Sequence, residues 1–124
     1  MNRWFTEVLD AHVAIERWLG QGEGDVESLL SRFSADYSMI PLSGAPLDAA
    51  ALRAFFSAAG GSRPGLAIEV DSLSLVAEWP AGAVVGYRET QTTAQETTVR
   101  WSTVVFELHE GAPRWRHLHE TRQA

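Results

Sequence analysis

Apolar residues recur at three- and four-residue intervals through the first third of the chain, and this spacing is typical of an amphipathic helix. The apolar stripe continues for about four turns, and glycines at Gly20 and Gly22 are predicted to end the helix. The stripe consists of Trp4, Phe5, Val8, Leu9, His12, Ile15 and Leu19.

Two shorter helices are predicted next, with a short strand between them. Asp25 can cap the second helix and Asp48 the third, which Gly60-Gly61 would end. The strand covers Tyr37–Ile40 and is closed by Pro41. The inner faces of the two helices are Val26, Leu29, Leu30 and Phe33 in the second, and Leu52, Phe55 and Phe56 in the third.

From Leu66 onward the apolar period changes to two, which predicts β-strands. The alternation slips at Asp71-Ser72, which indicates a β-bulge that bends a long strand. Tight turns would join four strands in an antiparallel meander. These strands are Leu66–Trp79, Ala83 to about Thr93, Thr97–Leu108 and Arg114–Arg122.

Helices followed by a strongly bent sheet predict an α+β fold. We expect three N-terminal helices packed on a mainly antiparallel sheet that curls into a cone with an internal pocket. The length of 124 residues fits one domain, spanning residues 1–124.

Composition narrows the possible functions. Sixteen acidic residues against ten basic ones, all of them Arg, give a net charge of −6, which disfavours nucleic-acid binding. The preference for Arg over Lys is typical of a GC-rich bacterial genome. No apolar run approaches the roughly 20 residues of a membrane span, and the first residues do not have the pattern of a signal peptide, so a cytoplasmic location is expected. The absence of cysteine excludes disulfides and thiolate chemistry.

The order of elements and three local motifs resemble the nuclear-transport-factor-two-like superfamily, including its ketosteroid-isomerase-like and SnoaL-like members. The motifs are Phe33-Ser34-Ala35-Asp36-Tyr37, Gly44-Ala45-Pro46-Leu47 running into Leu52-Arg53-Ala54-Phe55-Phe56, and Arg114-Trp115-Arg116-His117-Leu118-His119-Glu120-Thr121. The resemblance implies the cone fold. It does not imply one reaction, because this fold hosts isomerases, cyclases, hydrolases, dehydratases and non-catalytic scaffolds.

One departure from that resemblance concerns catalysis. Ketosteroid-isomerase-like members carry a general-base Asp shortly after the helix-to-strand junction. The matching stretch here is Met39-Ile40-Pro41, which has no carboxylate. Only His119, His117, Asp36 or Glu89 could then take the role of the proton-transferring residue.

The last strand offers the strongest candidates for a site. Its even positions are heavily charged, so we expect the odd positions Trp115, His117 and His119 to face the cone. His119 would be the polar centre of the pocket and His117 a secondary contact, and both are candidate catalytic residues. The alternative is that one histidine is a buried hydrogen-bonding group and the other a rim residue. No metal site is expected, because a third ligand would have to converge on the two histidines.

Arginines within the strands suggest how a ligand could be held. Arg100 shares a face with apolar residues and could bind a carboxylate near the cone mouth, or it could pair with Glu69, Glu89 or Glu96. Arg88 has the same alternatives, with an ion pair favoured.

Several aromatic and polar residues of the helices and first strand belong in the interior. Tyr37, Trp18 and Trp115 are expected to form apolar walls of the pocket, although for Tyr37 and Trp18 a place in the core is favoured over contact with a ligand. His12 is most simply a satisfied core histidine.

The outer face of the third long strand is too apolar to face water. It carries Val99, Trp101, Thr103 and Val105, and a second copy of the chain could cover it. Dimerisation through this face is common in the resembling families. We therefore predict a homodimer with Trp101 at or near the interface.

Two functional hypotheses follow. The first is a small-molecule-binding protein, with no cofactor, whose ligand is apolar with one carbonyl or carboxylate and whose chemistry could be that of a cyclase, isomerase or hydrolase. The second is a non-catalytic dimeric scaffold or accessory module in which the cone is only core. An open cavity of a few hundred cubic ångströms distinguishes the first from the second.

Overall fold

The computed structural model describes residues 2–124. Its helices are Arg3–Gln21 (α1), Val26–Leu30 (α2) and Ala49–Ala59 (α3). Its strands are Phe33–Ile40 (β1), Leu47–Asp48 (β2), Ala67–Trp79 (β3), Gly82–Thr92 (β4), Thr97–His109 (β5) and Ala112–Arg122 (β6).

The ends of the helices follow from their capping residues. The carboxylate of Asp25 accepts a hydrogen bond from the backbone N–H of Glu27 at the start of α2, and Asp48 accepts one from Ala51 at the start of α3. Both caps were predicted and both are confirmed. α1 continues through Gly20 and ends at Gly22, whose φ of 68° lies in the left-handed region that glycine adopts without strain.

The strands form one mixed sheet in the order β2-β1-β6-β5-β4-β3. The predicted antiparallel meander from β3 to β6 is confirmed, and β1 pairs with β6 in parallel. β1 begins at Phe33, four residues before the predicted start, and the two-residue β2 was not predicted. The α+β class is confirmed, and the sheet curls around the helices without closing on itself.

β3 contains the predicted bulge. Its pairing register with β4 shifts between Asp71 and Ser74, and Ser72 has a φ of 56°. The extra residue bends the strand and increases its twist, which lets the sheet curl around α1.

β6 contains a bulge that the sequence did not predict. Val105 pairs with His117 while the next residue, Phe106, pairs with Trp115, so Arg116 has no partner in β5. Because side chains alternate between the two faces of a strand, one extra residue reverses the alternation beyond it. Trp115 and the later Leu118 and Glu120 consequently lie on the same, concave face of the sheet.

The core lies between α1 and the concave face of the sheet. Trp115 is 2% exposed, contacts Phe33 and Phe106, and donates a hydrogen bond from its indole to Glu7 on α1. Glu7 also forms an ion pair with Arg32. This contact joins α1, the end of α2 and β6 at one point. No helix within residues 2–124 has the length and apolarity needed to cross a membrane.

Candidate functional site

A cavity of about 310 Å³ lies between α1, α3 and the concave face of the sheet. Most of its wall is apolar or aromatic, and Phe55, which is 53% exposed, lies at its outer edge. The apolar lining consists of Ile15, Leu19, Phe33, Tyr37, Met39, Pro41, Leu47, Leu52, Phe55, Phe56, Trp115 and Leu118.

The polar part of the lining is centred on a buried contact between His12 of α1 and Glu89 of β4. The distance from His12 Nε2 to Glu89 Oε1 is 3.1 Å, and His12 Nδ1 lies 2.7 Å from the carbonyl oxygen of Val8. Both imidazole nitrogens therefore face oxygen atoms. A doubly protonated imidazolium donates to both of them, which favours an ion pair with an ionised Glu89.

Shifted pKa values agree with this geometry. Burial alone lowers the pKa of His12, but the hydrogen bond and the negative charge of Glu89 outweigh burial, and the net pKa is raised. Burial alone raises the pKa of Glu89, but the hydrogen bond and positive charge of His12, with smaller effects of Gln91 and Arg100, lower it overall. Both shifts favour the charged forms of the two side chains, in agreement with an ion pair.

A chain of hydrogen bonds connects this ion pair to the loop that follows α3. Gln91 donates its side-chain amide to Glu89 Oε2 over 2.5 Å, and the guanidinium of Arg63 donates to Gln91 Oε1 over 2.5 Å. Arg63, Gln91, Glu89 and His12 all line the cavity. The polar wall therefore extends from the buried histidine to a partly exposed arginine.

A second ion pair lies beside the first. Arg100 Nη1 of β5 is 3.3 Å from Glu120 Oε1 of β6, and Arg100 Nη2 donates to Thr98 over 2.9 Å. Burial raises the pKa of Glu120, and the charge of Glu89 adds to the increase although Arg100 opposes it. The two buried carboxylates therefore differ: Glu89 is held ionised, and Glu120 is shifted towards the protonated form.

Two tyrosines complete the polar region. Burial and the charge of Glu120 raise the pKa of Tyr37, and burial together with the charges of Glu89 and Glu120 raises that of Tyr87 well above its ordinary value. Both phenols are hydrogen-bond donors at neutral pH. Among residues 2–124, the hydroxyls of Tyr87 and Ser102 and the Nε of Arg100 are buried without a hydrogen-bond partner.

Three of the residues selected from the sequence line the cavity. They are Tyr37, Arg100 and Trp115. Of the two alternatives for Arg100, the structure has the ion pair. Its partner is Glu120, however, and not Glu69, Glu89 or Glu96. Whether these side chains contact a ligand remains a prediction.

The expectation that His117 and His119 face the cavity is wrong. The bulge at Arg116 turns both onto the outer face of the sheet, where His119 is exposed and opposite Thr103, and His117 Nδ1 lies 2.7 Å from the Ser38 hydroxyl. The charge pattern was misleading because Glu120, expected at the surface, is buried beside Arg100.

Trp18 and Arg88 were also assigned roles from the sequence, and the structure shows the position of each. Trp18 does not line the cavity, because its indole donates to the backbone of Phe56 and packs over Gly60, between α1 and α3. Arg88 forms an ion pair, as favoured, but its partner is Asp71 on the neighbouring strand β3 and not one of the three glutamates considered. Its Nε and Nη2 donate to the two carboxylate oxygens of Asp71 over 2.8 and 2.7 Å.

Most residues of the polar wall were not predicted from the sequence. His12 was assigned to the core alone, and Glu89 was considered only as an alternative partner or base. Glu120, Gln91 and Arg63 were not selected. For two residues of the polar wall, Glu89 and Gln91, the sequence did contain an indication. They continue the alternation of the buried residues Ala83, Val85 and Tyr87, which places them on the concave face of β4.

The stretch that lacks the expected general base is apolar in the structure as well. Met39 and Pro41 both line the cavity. Within residues 2–124, no group of three or more His, Cys, Asp or Glu side chains is placed to hold a metal ion.

The concave sheet, the helix across it and the cavity between them define an α+β cone-fold protein. A structure from Pseudomonas aeruginosa, described as an NTF-2-like protein of unknown function, has 41% sequence identity to the chain and a TM-score of 0.95, and the match covers 99% of this chain and 100% of that one. The chain therefore belongs to the nuclear-transport-factor-2-like (NTF2-like) family.

More distant structures share the fold alone. The CaMKII hub homology domain of Chlamydomonas reinhardtii has a TM-score of 0.76 at 15% identity, with 98% of this chain and 97% of that chain covered. An NTF2-like protein of unknown function from Pseudomonas putida has a TM-score of 0.68 at 17% identity, with 94% and 84% covered. No protein-family model and no curated protein matches the chain.

The two pKa shifts predict how stability depends on pH. The pKa of His12 is raised above 6.5, so its contribution is complete below that pH and is lost as the pH rises through the folded-state value. The pKa of Glu89 is lowered below 4.5, so its contribution is complete above that pH and is lost as the pH falls through the folded-state value. The ion pair therefore stabilises the fold most between pH 4.5 and 6.5.

We predict that His12→Leu lowers the free energy of unfolding by about 3–5 kcal/mol at about pH 6, because the carboxylate of Glu89 stays buried without its partner. The loss should become smaller in alkaline solution, because His12 of the wild-type protein is then deprotonated and no longer forms an ion pair with Glu89. Urea unfolding at a series of pH values measures both effects, with the exposed His109→Gln as the control. A penalty that is constant from acidic to alkaline pH would contradict the assigned ion pair.

Proposed function

We propose that the protein binds a small, mainly apolar molecule in the cavity between α1, α3 and the sheet. The observation that carries this proposal is a cavity of about 310 Å³ with an aromatic wall on one side and buried ionisable groups on the other. Ligand sites of proteins combine these two properties, since apolar surface provides affinity and a few polar groups fix the orientation.

The volume limits the size of the ligand. At about 30 Å³ per water molecule in the liquid, 310 Å³ is the volume of roughly ten waters. The cavity is also at the small end of the range of about 300–1,000 Å³ found for ligand sites. A ligand of roughly ten to fifteen non-hydrogen atoms, such as a bicyclic aromatic or a medium-length chain, fits this space.

The polar wall also supports acid–base chemistry of the isomerase, cyclase or hydrolase kind. Glu120 lines the cavity, accepts two long hydrogen bonds of 3.3 and 3.4 Å from Arg100 Nη1, and has a raised pKa. Glu89, in contrast, is fixed by His12 and Gln91. Glu120 is therefore the better candidate for a proton donor and acceptor, in place of His119 and His117.

A dimeric scaffold is the second candidate function, and the outer face of the sheet supports it. Trp101 is 46% exposed there, partly covered by the guanidinium of Arg88, and the face continues across Thr103 and Val105 to β6. Some structures with this fold are hub or association domains, which supports self-association as a use of the fold. A dimer is also compatible with a ligand in the cavity, because the two surfaces lie on opposite faces of the sheet.

The ligand-binding proposal predicts the effect of filling the cavity. Ile15 of α1 lines it, whereas Val13 of the same helix is 48% exposed. Ile15→Trp should weaken the binding of a neutral probe, 2-naphthamide or octanamide, by at least about tenfold, because the indole takes up space that the probe needs. Val13→Trp is the matched control and should leave binding unchanged.

Isothermal titration calorimetry measures both variants, and urea unfolding shows that each is folded. Failure of the wild-type protein to bind either amide, or the acid of the same shape (2-naphthoate or octanoate), at millimolar concentration would overturn the proposal. Equal affinity of Ile15→Trp and the wild type would place the binding outside this cavity.

The dimer proposal predicts a change of mass with one substitution. Trp101→Glu places a carboxylate at the centre of the outer face, where burial without a partner is costly, and should convert a dimer at micromolar concentration into a monomer. Trp79→Glu, at an exposed position of the edge strand β3, should leave the dimer intact. Sedimentation equilibrium measures the mass, and a monomeric wild-type protein would refute the dimer.

A further inference from the structure

The ionisable side chains that line the cavity do not balance in charge. Three are basic, His12, Arg63 and Arg100, and two are acidic, Glu89 and Glu120. The charges of His12 and Glu89 sum to zero, whichever of the two side chains carries the proton between them. The charges of Arg100 and Glu120 sum to zero when Glu120 is ionised and to one positive charge when it is protonated. The remaining charge is that of Arg63, so the cavity carries at least one net positive charge in a chain whose net charge is −6.

The surroundings of Arg63 explain why this charge is not neutralised. Within residues 2–124, its guanidinium makes one side-chain hydrogen bond, to the neutral amide of Gln91, and no carboxylate lies within ion-pair distance. A guanidinium has five N–H donors, so most of those of Arg63 remain free for another acceptor. The side chain is partly exposed, as expected for a group at the edge of the cavity.

The backbone of Arg63 is fixed even though its side chain is not paired. Its N–H donates to the carbonyl of Leu19 over 2.9 Å, and its carbonyl accepts from the N–H of Leu66 over 3.1 Å. Gly61 and Gly65 on either side have φ values of 70° and 77°, which only glycine adopts without strain, and they form the tight loop. The loop therefore fixes the backbone position from which the Arg63 side chain reaches the cavity edge, so that ligand binding has to order the side chain but not the backbone.

We propose that the ligand is a monocarboxylate with an apolar body, and that Arg63 binds its carboxylate at the cavity edge. The apolar body lies among the aromatic side chains, and the carboxylate accepts two parallel N–H bonds from the guanidinium. This assignment differs from the sequence-based expectation, in which Arg100 held the carboxylate. Arg100 already forms an ion pair with Glu120.

This inference rests on the proposed ligand-binding function and specifies its substrate class. The test compares acids with uncharged amides of the same shape: 2-naphthoate with 2-naphthamide, and octanoate with octanamide. Calorimetry at neutral pH should give an affinity for at least one of the acids that is about tenfold or more higher than for its amide, the effect of a charge-assisted hydrogen-bond pair.

Variants assign the selectivity to a residue. Arg63→Gln should reduce the affinity for the acid to that for the amide, and unchanged amide binding shows that this variant is folded. Arg63→Lys should restore part of the preference, since the charge returns without the planar pair of donors. Arg53→Gln, at an exposed arginine paired with Glu27 on the surface, is the control and should keep the full preference.

The possible failures can be told apart. Equal binding of acids and amides by the wild type overturns the carboxylate assignment while leaving the proposed function in place. A preference for the acid that persists in Arg63→Gln overturns the role of Arg63. The absence of binding by both acids and both amides overturns the proposed function and this inference with it.

Discussion

The bulge at Arg116 in β6 is the constraint on which the interior of this protein depends. A strand presents alternate side chains to its two faces, so one unpaired residue decides the facing of every side chain after it. The bulge keeps Trp115 in the core and turns Leu118 and Glu120 inward after it, where Glu120 meets Arg100. Without it the two histidines of β6 would face the cavity, and Glu120 would be on the surface.

The inward turn of Glu120 brings two carboxylates into one small cavity, and their neighbours make them different. Glu89 is held by an imidazolium and an amide, whereas Glu120 has one arginine at a longer distance. Burial would otherwise drive both towards the neutral form. Neither ion pair adds a net negative charge to the cavity, since each carboxylate has its own cationic partner. The unpaired Arg63 therefore makes the cavity positive, and the aromatic wall makes the rest of it apolar.

Much of the architecture could be predicted from the sequence, because it depends on local patterns. Asp25 and Asp48 cap their helices, the phase slip at Asp71-Ser72 marks a bulge, and the period-two strands form the meander. The bulge at Arg116 left a weaker slip, because the apolar residues Trp115 and Leu118 lie in opposite phases of the alternation. The charged residues that share the phase of Leu118, among them Arg116 and Glu120, instead indicated a face towards water. The ion pair of Glu120 with Arg100 depends on the register between β5 and β6, which a single sequence does not specify. The partnership of His12 with Glu89, 77 residues apart, likewise requires the fold.

The most direct test of this account is an NMR titration that follows the imidazole signals of all four histidines while 2-naphthoate or octanoate is added. The account predicts that the signals of His12, inside the cavity, shift and saturate with the ligand, while those of His117 and His119, on the outer face, stay unchanged. A ligand that shifted the signals of His117 or His119 and left His12 unaffected would contradict it, because the binding surface would then be the opposite face of the sheet.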